Sequence, residues 1–362
     1  MKKFFFHLFI FISFFLFINF VLAFLWTPLS VIKAKILKHE HYTDEVLKLI
    51  NIEKKEEENF YREMWPNNKY KYVQFAEHLE AKTEIQKYVN ITQEYGRKIN
   101  NSNICNFRYF FYGDSQVFGY NVKDNQTIPA FFKDILIKNS PNKNICVYNF
   151  GSANYFSTQE NILLIKHILE DKVKKNDFAI FLNGHIENGN QRSGISSVLD
   201  KSVDQFYYNR WEKLKYSSIT FFNSLPVIII YKRLHKNFSQ KENIDEKKVK
   251  ELSSILNNID ETQNIFKKNL MMRNSICGSM NINCYTFIKP FPKIHGKSTK
   301  TFLRDEISYM KMKYLALSKT KNTIDISQIL DNEQEISYID KVHFSPNSNK
   351  LIAYEIHKQL NN

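Results

Sequence analysis

The sequence predicts an α/β domain: a parallel sheet covered by helices on both faces, preceded by a long apolar segment. Three observations carry this. Short apolar strands alternate with amphipathic helices from about residue 105. The predicted strands run into Gly, Asn, Asp and Ser. Residues 4–26 contain no Asp, Glu, Lys or Arg. Strand–helix–strand units of this length read as parallel crossovers packed on both sides of one sheet.

Taken in order, Lys2 and Lys3 precede FFFHLFIFISFFLFINFVLAFLW. At about 1.5 Å per residue, a helix of roughly 20 residues spans a bilayer core, and this run is long enough. Trp26 and Pro28 stand where an interfacial aromatic and a helix stop belong. Val21-Leu22-Ala23 would also suit a cleaved signal peptide, but the run exceeds the usual signal core of about 7–15 residues, which favours an uncleaved anchor. Lys2 and Lys3 nearly balance Lys33, Lys35 and Lys38 across the segment. Orientation therefore rests on the default of export, with the C-terminal bulk outside the cytoplasm and the chain held at the cell membrane by a single pass.

Residues 29–100 read as a helical, charged connector, with EVLKLI and NIEKKEEENFYREMW as its helix formers. The domain then occupies 101–362. FRYFFYG (107–113), ICVYNFG (145–151) and DFAIFLNG (177–184) read as strands. Between them, TIPAFFKDILIKN has Thr127 as N-cap and Pro129 in its first turn, and NILLIKHILEDKVKK carries Ile162, Ile165 and Ile168 at helical spacing. Residues 200–275 read as mainly helical, NINCYTFIKPF (281–291) as a strand and TIDI (323–326) as a short last strand. The chain closes on a helix with Ser345 as N-cap and Pro346 at its first position.

Of 362 residues, 43% are hydrophobic and 24% charged, which excludes a disordered polyampholyte. The formal charge of +14 leaves nucleic acid and anionic surfaces open, but no helix-turn-helix, zinc finger or RNP-like signature is present, so a nucleic-acid role is not expected. Cys105, Cys146, Cys277 and Cys284 are even in number, and Cys277 with Cys284 would close a small loop. Four buried thiols fit equally well. No cysteine or histidine spacing has the form of a zinc site, and neither a metal nor a cofactor is called for.

Ligands of parallel sheets bind at the carboxyl ends of the strands. The first such end reads Gly113-Asp114-Ser115, a serine on a tight turn. Asp340-Lys341-Val342-His343 stands just before the last helix, a base and an orienting acid three residues apart. Together they are a compact supply for a serine nucleophile.

These residues resemble the SGNH/GDSL hydrolase family. GDSQVFGYNVKDNQTIPAFF (113–132) is similar to its first block, VYNFGSANYFSTQE (147–160) to its second and DKVHFSPNSNKLIA (340–353) to its last, while NITQEYGRK (90–98) resembles a lead-in found in membrane-associated members. The resemblance covers roughly residues 90–362 with a divergent middle. It implies a flavodoxin-like three-layer α/β/α domain in which Ser115 attacks an ester, His343 shuttles the proton and Asp340 orients His343. The backbone N–H groups of Ser115 and Gly151, with an Asn side chain, would hold the oxyanion; such a donor is typically worth about 10²–10³ in rate. The third block departs from the family's Gly-x-Asn-Asp. FLNGHIEN places Ile186 at the Asn position and Glu187 at the Asp position, leaving Asn183 and Asn188 as equal candidates for the donor and His185 as another. Asp114, Tyr155 and His185 are the expected substrate-binding residues, and Phe118, Tyr120 and Phe156 are further aromatics near the site.

The implied activity is a membrane-tethered, extracytoplasmic serine esterase acting on an acylated glycan or a small ester. Acyl transfer to a polysaccharide would use the same triad. A non-catalytic glycan-binding or assembly relative would account for the altered third block.

Overall fold

The computed structural model describes residues 41–187 and 244–362 apart from short gaps, together with parts of 3–21 and with Leu225 and Ile228. The chain divides into two compact units, one comprising His41–Ser196 and Ser253–Asn362, the other Met1–Glu40 and Ser197–Leu252. The first carries the sheet. Strands β1 (Tyr70–Val73) and β2 (Glu77–Glu80) form a separate antiparallel pair. The main sheet uses β3 (Ile91–Thr92), β4 (Gly96–Arg97), β5 (Phe107–Gly113), β6 (Ile145–Gly151), β7 (Phe178–Asn183), β8 (Asn283–Ile288) and β10 (Ile324–Asp325). Their order is β10-β8-β7-β5-β6-β4-β3, parallel throughout except for the β3–β4 hairpin. A small parallel pair, β9 (Lys297–Ser298) and β11 (Ile336–Tyr338), lies apart from it.

Alternation along the strands builds two cores, as a sheet buried on both faces requires. Phe111, Val147, Ile180 and Leu182 pack on one side with Phe132 of the helix Ile128–Asn139 and with Ile352 and Ile356 of the helix Pro346–Asn361. Phe110, Tyr112, Cys146 and Phe181 pack on the other with Leu163 and Leu164 of the helix Ser157–Leu169 and Cys277 of the helix Ile244–Met280. The expected caps are in place: Thr127 Oγ1 accepts from Ala130 N at 3.3 Å, and Ser345 Oγ from Ser348 N at 3.3 Å.

The connector expected over 29–100 is helical only in part. Helices cover Asp44–Leu49 and Glu57–Met64, and strands begin at Tyr70. Residues 29–40 lie outside the described residues, and 41–100 belong to the domain: Val46, Leu47, Phe60 and Met64 pack against Phe118, Tyr120 and Val122, just beyond Ser115. The β3–β4 hairpin within 90–98 extends the sheet past β6. The reason is burial: Val73, Tyr88, Val89 and Ile91 carry apolar side chains that the charged helices alone would leave exposed.

Both cysteine pairs are disulfides, Cys105–Cys146 and Cys277–Cys284. Of the helical expectation over 200–275, the part from 244 onward is helix, and the part before it lies outside the described residues apart from Leu225 and Ile228. Among the described residues no helix is long and apolar enough to cross a membrane, the run 4–26 being described only in part.

Candidate active site

β5 delivers the chain to Ser115 through a turn that only glycine permits. A Cβ at Gly113 would collide with Val117 Cγ2. Asp114 then caps the short helix Ser115–Phe118, its Oδ1 accepting from Gln116 N at 2.9 Å. Asp114 is buried, and Lys289 Nζ lies 2.7 Å from its Oδ2. Burial opposes its charge, but Lys289, then His185 and the Gln116 N–H, outweigh that and hold the carboxyl below its usual range. Asp114 is therefore a cap and an ion-pair partner, and its carboxylate is spent before a substrate arrives.

The last block arrives from the far end of the chain. Gln116, next to Ser115, donates from Nε2 to Val342 O, next to His343. His343 Nδ1 lies 2.6 Å from Asp340 Oδ2. Asp340 is held in turn by Val342 N and His343 N, both 2.8 Å from Oδ1, and by Asn121 Nδ2, 2.8 Å from Oδ2. Burial pushes the Asp340 pKa up, but the hydrogen bond and charge of His343, followed by the two N–H groups, bring it down to about 2. With Nδ1 given to Asp340, the His343 Nε2 remains to accept a proton.

The expected oxyanion donors fare differently. The Ser115 N–H has no protein acceptor among the described residues. The Gly151 N–H, in contrast, donates to Asn149 Oδ1 at 3.0 Å. A Cβ at Gly151 would strike Phe118 N, so this glycine is needed for close approach of two backbones. The Asn183 amide is also occupied: Nδ2 donates to Glu160 Oε1 and Oε2 at 2.9 and 2.8 Å and to Glu187 Oε1 at 3.1 Å, and Oδ1 accepts from Arg273 Nη1 at 3.1 Å. Asn188 lies outside the described residues. After β6, Asn154 adopts φ 59° in an exposed turn, and its N–H has no acceptor among the described residues.

His185 is buried with neither ring nitrogen bonded to a partner among the described residues. Its Nδ1 is 3.8 Å from Asp114 Oδ2, beyond hydrogen-bond range. Burial, the largest influence, drives its pKa down to about 3, so the ring is neutral and carries one N–H and one lone pair. Tyr155, expected to meet substrate, is buried and donates from Oη to Ala76 O at 2.7 Å. Phe118, Tyr120 and Phe156 are buried as well, and serve as core.

Three residues escaped the sequence reading. Arg97, fully enclosed, donates to Asp124 Oδ1 at 2.9 Å, to Phe118 O at 2.9 Å and to Val122 O at 2.6 Å, and so ties down the loop that follows Ser115. Asn149 Nδ2 donates to Val117 O at 2.9 Å, and Asn121 steadies Asp340. Arg97 sits inside the 90–98 lead-in. Among the described residues no group of His, Cys, Asp and Glu is arranged to hold a metal ion.

No family model and no curated protein matches the chain. Solved structures do align with it. One is assigned to the lipolytic G-D-S-L family from Desulfitobacterium hafniense, at 13% identity over 70% of this chain and 99% of that one, TM-score 0.36. Axe2, an acetylxylan esterase from Geobacillus stearothermophilus, aligns at 12% identity over 71% and 95%, TM-score 0.38. A GDSL-like lipase from Parabacteroides merdae aligns at 12% over 73% and 99%, TM-score 0.39. The likeness is to GDSL lipolytic proteins and acetylxylan esterases.

Proposed function

We propose that the chain is a serine esterase that removes acyl groups from a glycan. The observation that carries this is the His343–Asp340 pair, fastened by three further hydrogen bonds and tied through Gln116 to the turn that presents Ser115. Ser115 Oγ attacks the acyl carbonyl as its proton passes to His343 Nε2. The imidazolium, balanced by Asp340, returns that proton to the departing sugar oxygen. Water then attacks the acyl-enzyme by the same route, releasing the acid and restoring Ser115. The Ser115 N–H is the oxyanion donor.

The proposal includes an N-terminal anchor and an extracytoplasmic domain. The described residues between Lys3 and Val21 are helical, with Phe4, Phe9, Phe11 and Phe20 exposed. Two disulfides accord with an oxidising compartment. Labelling of the full chain by a fluorophosphonate, compared with Ser115→Ala, tests the nucleophile, and acetate release from an acetylated glycan tests the substrate class.

A second reading, a glycan-binding relative without catalysis, draws on the engaged Gly151 N–H and Asn183 amide. It requires that wild type resist the label.

A further inference from the structure

Along the β4–β3 edge of the sheet, three cavities follow one another and share walls. The first, about 630 Å³, is bounded by Phe118 and Gly151, which back the Ser115 turn, and reaches Thr92 and Arg97. The second, about 460 Å³, begins at Thr92 and Arg97 and continues to Lys98, Ile99 and Asn100. The third, about 560 Å³, takes up Lys98, Ile99 and Asn100 and runs on to Asp134 and Ile137.

The cations are concentrated here. Lys71, Lys166 and Lys172 line the first cavity, Lys98 the second, and Lys87, Lys98, Lys123 and Lys133 the third. Four carboxylates line the same run: Glu80, Glu170, Asp124 and Asp134. Three of these are already committed: Glu80 to the Tyr120 hydroxyl and Ala153 N, Asp124 to Arg97, and Glu170 to Lys166 and Lys172 at 2.6 and 3.0 Å. Lys71 and Lys98 have no carboxylate partner among the described residues. Burial and then the neighbouring Lys172 hold Lys71 below the usual ammonium range, and burial and then Lys87 do the same for Lys123. An incoming anion would relieve both.

We propose that this groove binds an acidic polysaccharide, one bearing carboxylate or phosphate groups along an extended chain. The choice of a glycan rests on the function proposed above; the binding does not depend on catalysis. Three joined cavities fit an extended polymer better than a single ion. Asn100 and Asn125 supply amide groups suited to sugar hydroxyls. The lining aromatics Tyr88, Tyr148, Phe118 and Phe150 are all buried, so no ring face is offered to stack nucleic-acid bases.

The test is titration of the full chain in neutral detergent, carrying Ser115→Ala, with polygalacturonate, dextran and a thymidine oligonucleotide. A groove variant, Lys71→Gln/Lys98→Gln/Lys166→Gln, is compared with Lys319→Gln/Lys321→Gln/Lys350→Gln, which removes equal charge from exposed positions that line none of the three cavities. Polygalacturonate should bind and dextran should not. The groove variant should weaken polygalacturonate binding about tenfold and the control less than about twofold. Equal losses in the two variants, no binding of polygalacturonate, or tighter binding of the oligonucleotide through the same lysines would each overturn the proposal. Because the nucleophile is absent throughout, failure here is separate from failure of the esterase reading, which fluorophosphonate labelling of wild type decides.

Discussion

β5 and β7 pair along their length and end side by side, yet the two ends differ in how their hydrogen-bonding capacity is used. At the β5 end it is left open: the Ser115 N–H has no protein partner among the described residues. At Asn183, the last residue of β7, it is exhausted. Asn183 joins two carboxylates and a guanidinium, and Arg273 adds bonds to Asn161, Thr286 and Glu160 while lying over the Phe181 ring. A buried polar group without a partner costs stability, so it persists where a ligand completes it. A saturated buried network holds the scaffold in place. The contrast assigns chemistry to one strand end and support to the other.

The hardest test of that division is catalytic. Ser115→Ala should lower hydrolysis of a short aryl ester by more than about 10⁴-fold, and Asp340→Asn by about 10⁴-fold, with thermal midpoints close to wild type. An active Ser115→Ala enzyme would remove the β5 side of the comparison. Next comes Arg273→Met, which strands Glu160 and Glu187 without their cation and should cost about 3–5 kcal/mol in urea unfolding. Were stability kept and turnover lost, the β7 network would belong to the chemistry after all.

The pH dependence is a finer probe of the same network. Burial, then the neighbouring Glu160, raises the Glu187 pKa to about 7 from an ordinary value near 4.5. A raised folded-state pKa contributes stability that is complete below the unfolded value and is lost as pH rises through the folded one. Unfolding free energy should therefore decline between about pH 4.5 and 7, by at most about 1.4 kcal/mol per pH unit from this group, and Glu187→Gln should flatten that slope. The smallest effect concerns His185. His185→Asn should reduce kcat/KM for an acylated sugar about tenfold while moving stability by less than about 1 kcal/mol. A large stability change with unaltered kinetics would make His185 part of the scaffold.

Much of this site is legible along the chain because its signals are local. Gly113-Asp114-Ser115 follows a strand at once, and Asp340 and His343 lie three residues apart, so one turn of backbone brings acid and base together. Thr127 and Ser345 announce their helices in the same way. Two of the expected oxyanion donors, Gly151 and Asn183, have their groups engaged elsewhere, because a residue's type does not reveal what else its N–H or amide will meet. Gly151 meets an acceptor two residues away, on the side chain of Asn149, while Asn183 meets Arg273 from 90 positions away. Arg97 was hidden for a related reason: its partners lie on the loop after Ser115, and nothing in NITQEYGRK indicates that the arginine turns inward.

By itself the sequence determined the order of strands and helices, the strand end that carries the serine, and the coupling of Asp340 to His343. Each follows from periodicity, capping or spacing within about ten residues. The tertiary structure alone decided which hydrogen bonds remain unspent, that residues 41–100 complete the domain, and that lysines from separate segments gather along one edge of the sheet. Those outcomes depend on groups far apart in the chain competing for the same partners, and only packing settles that competition.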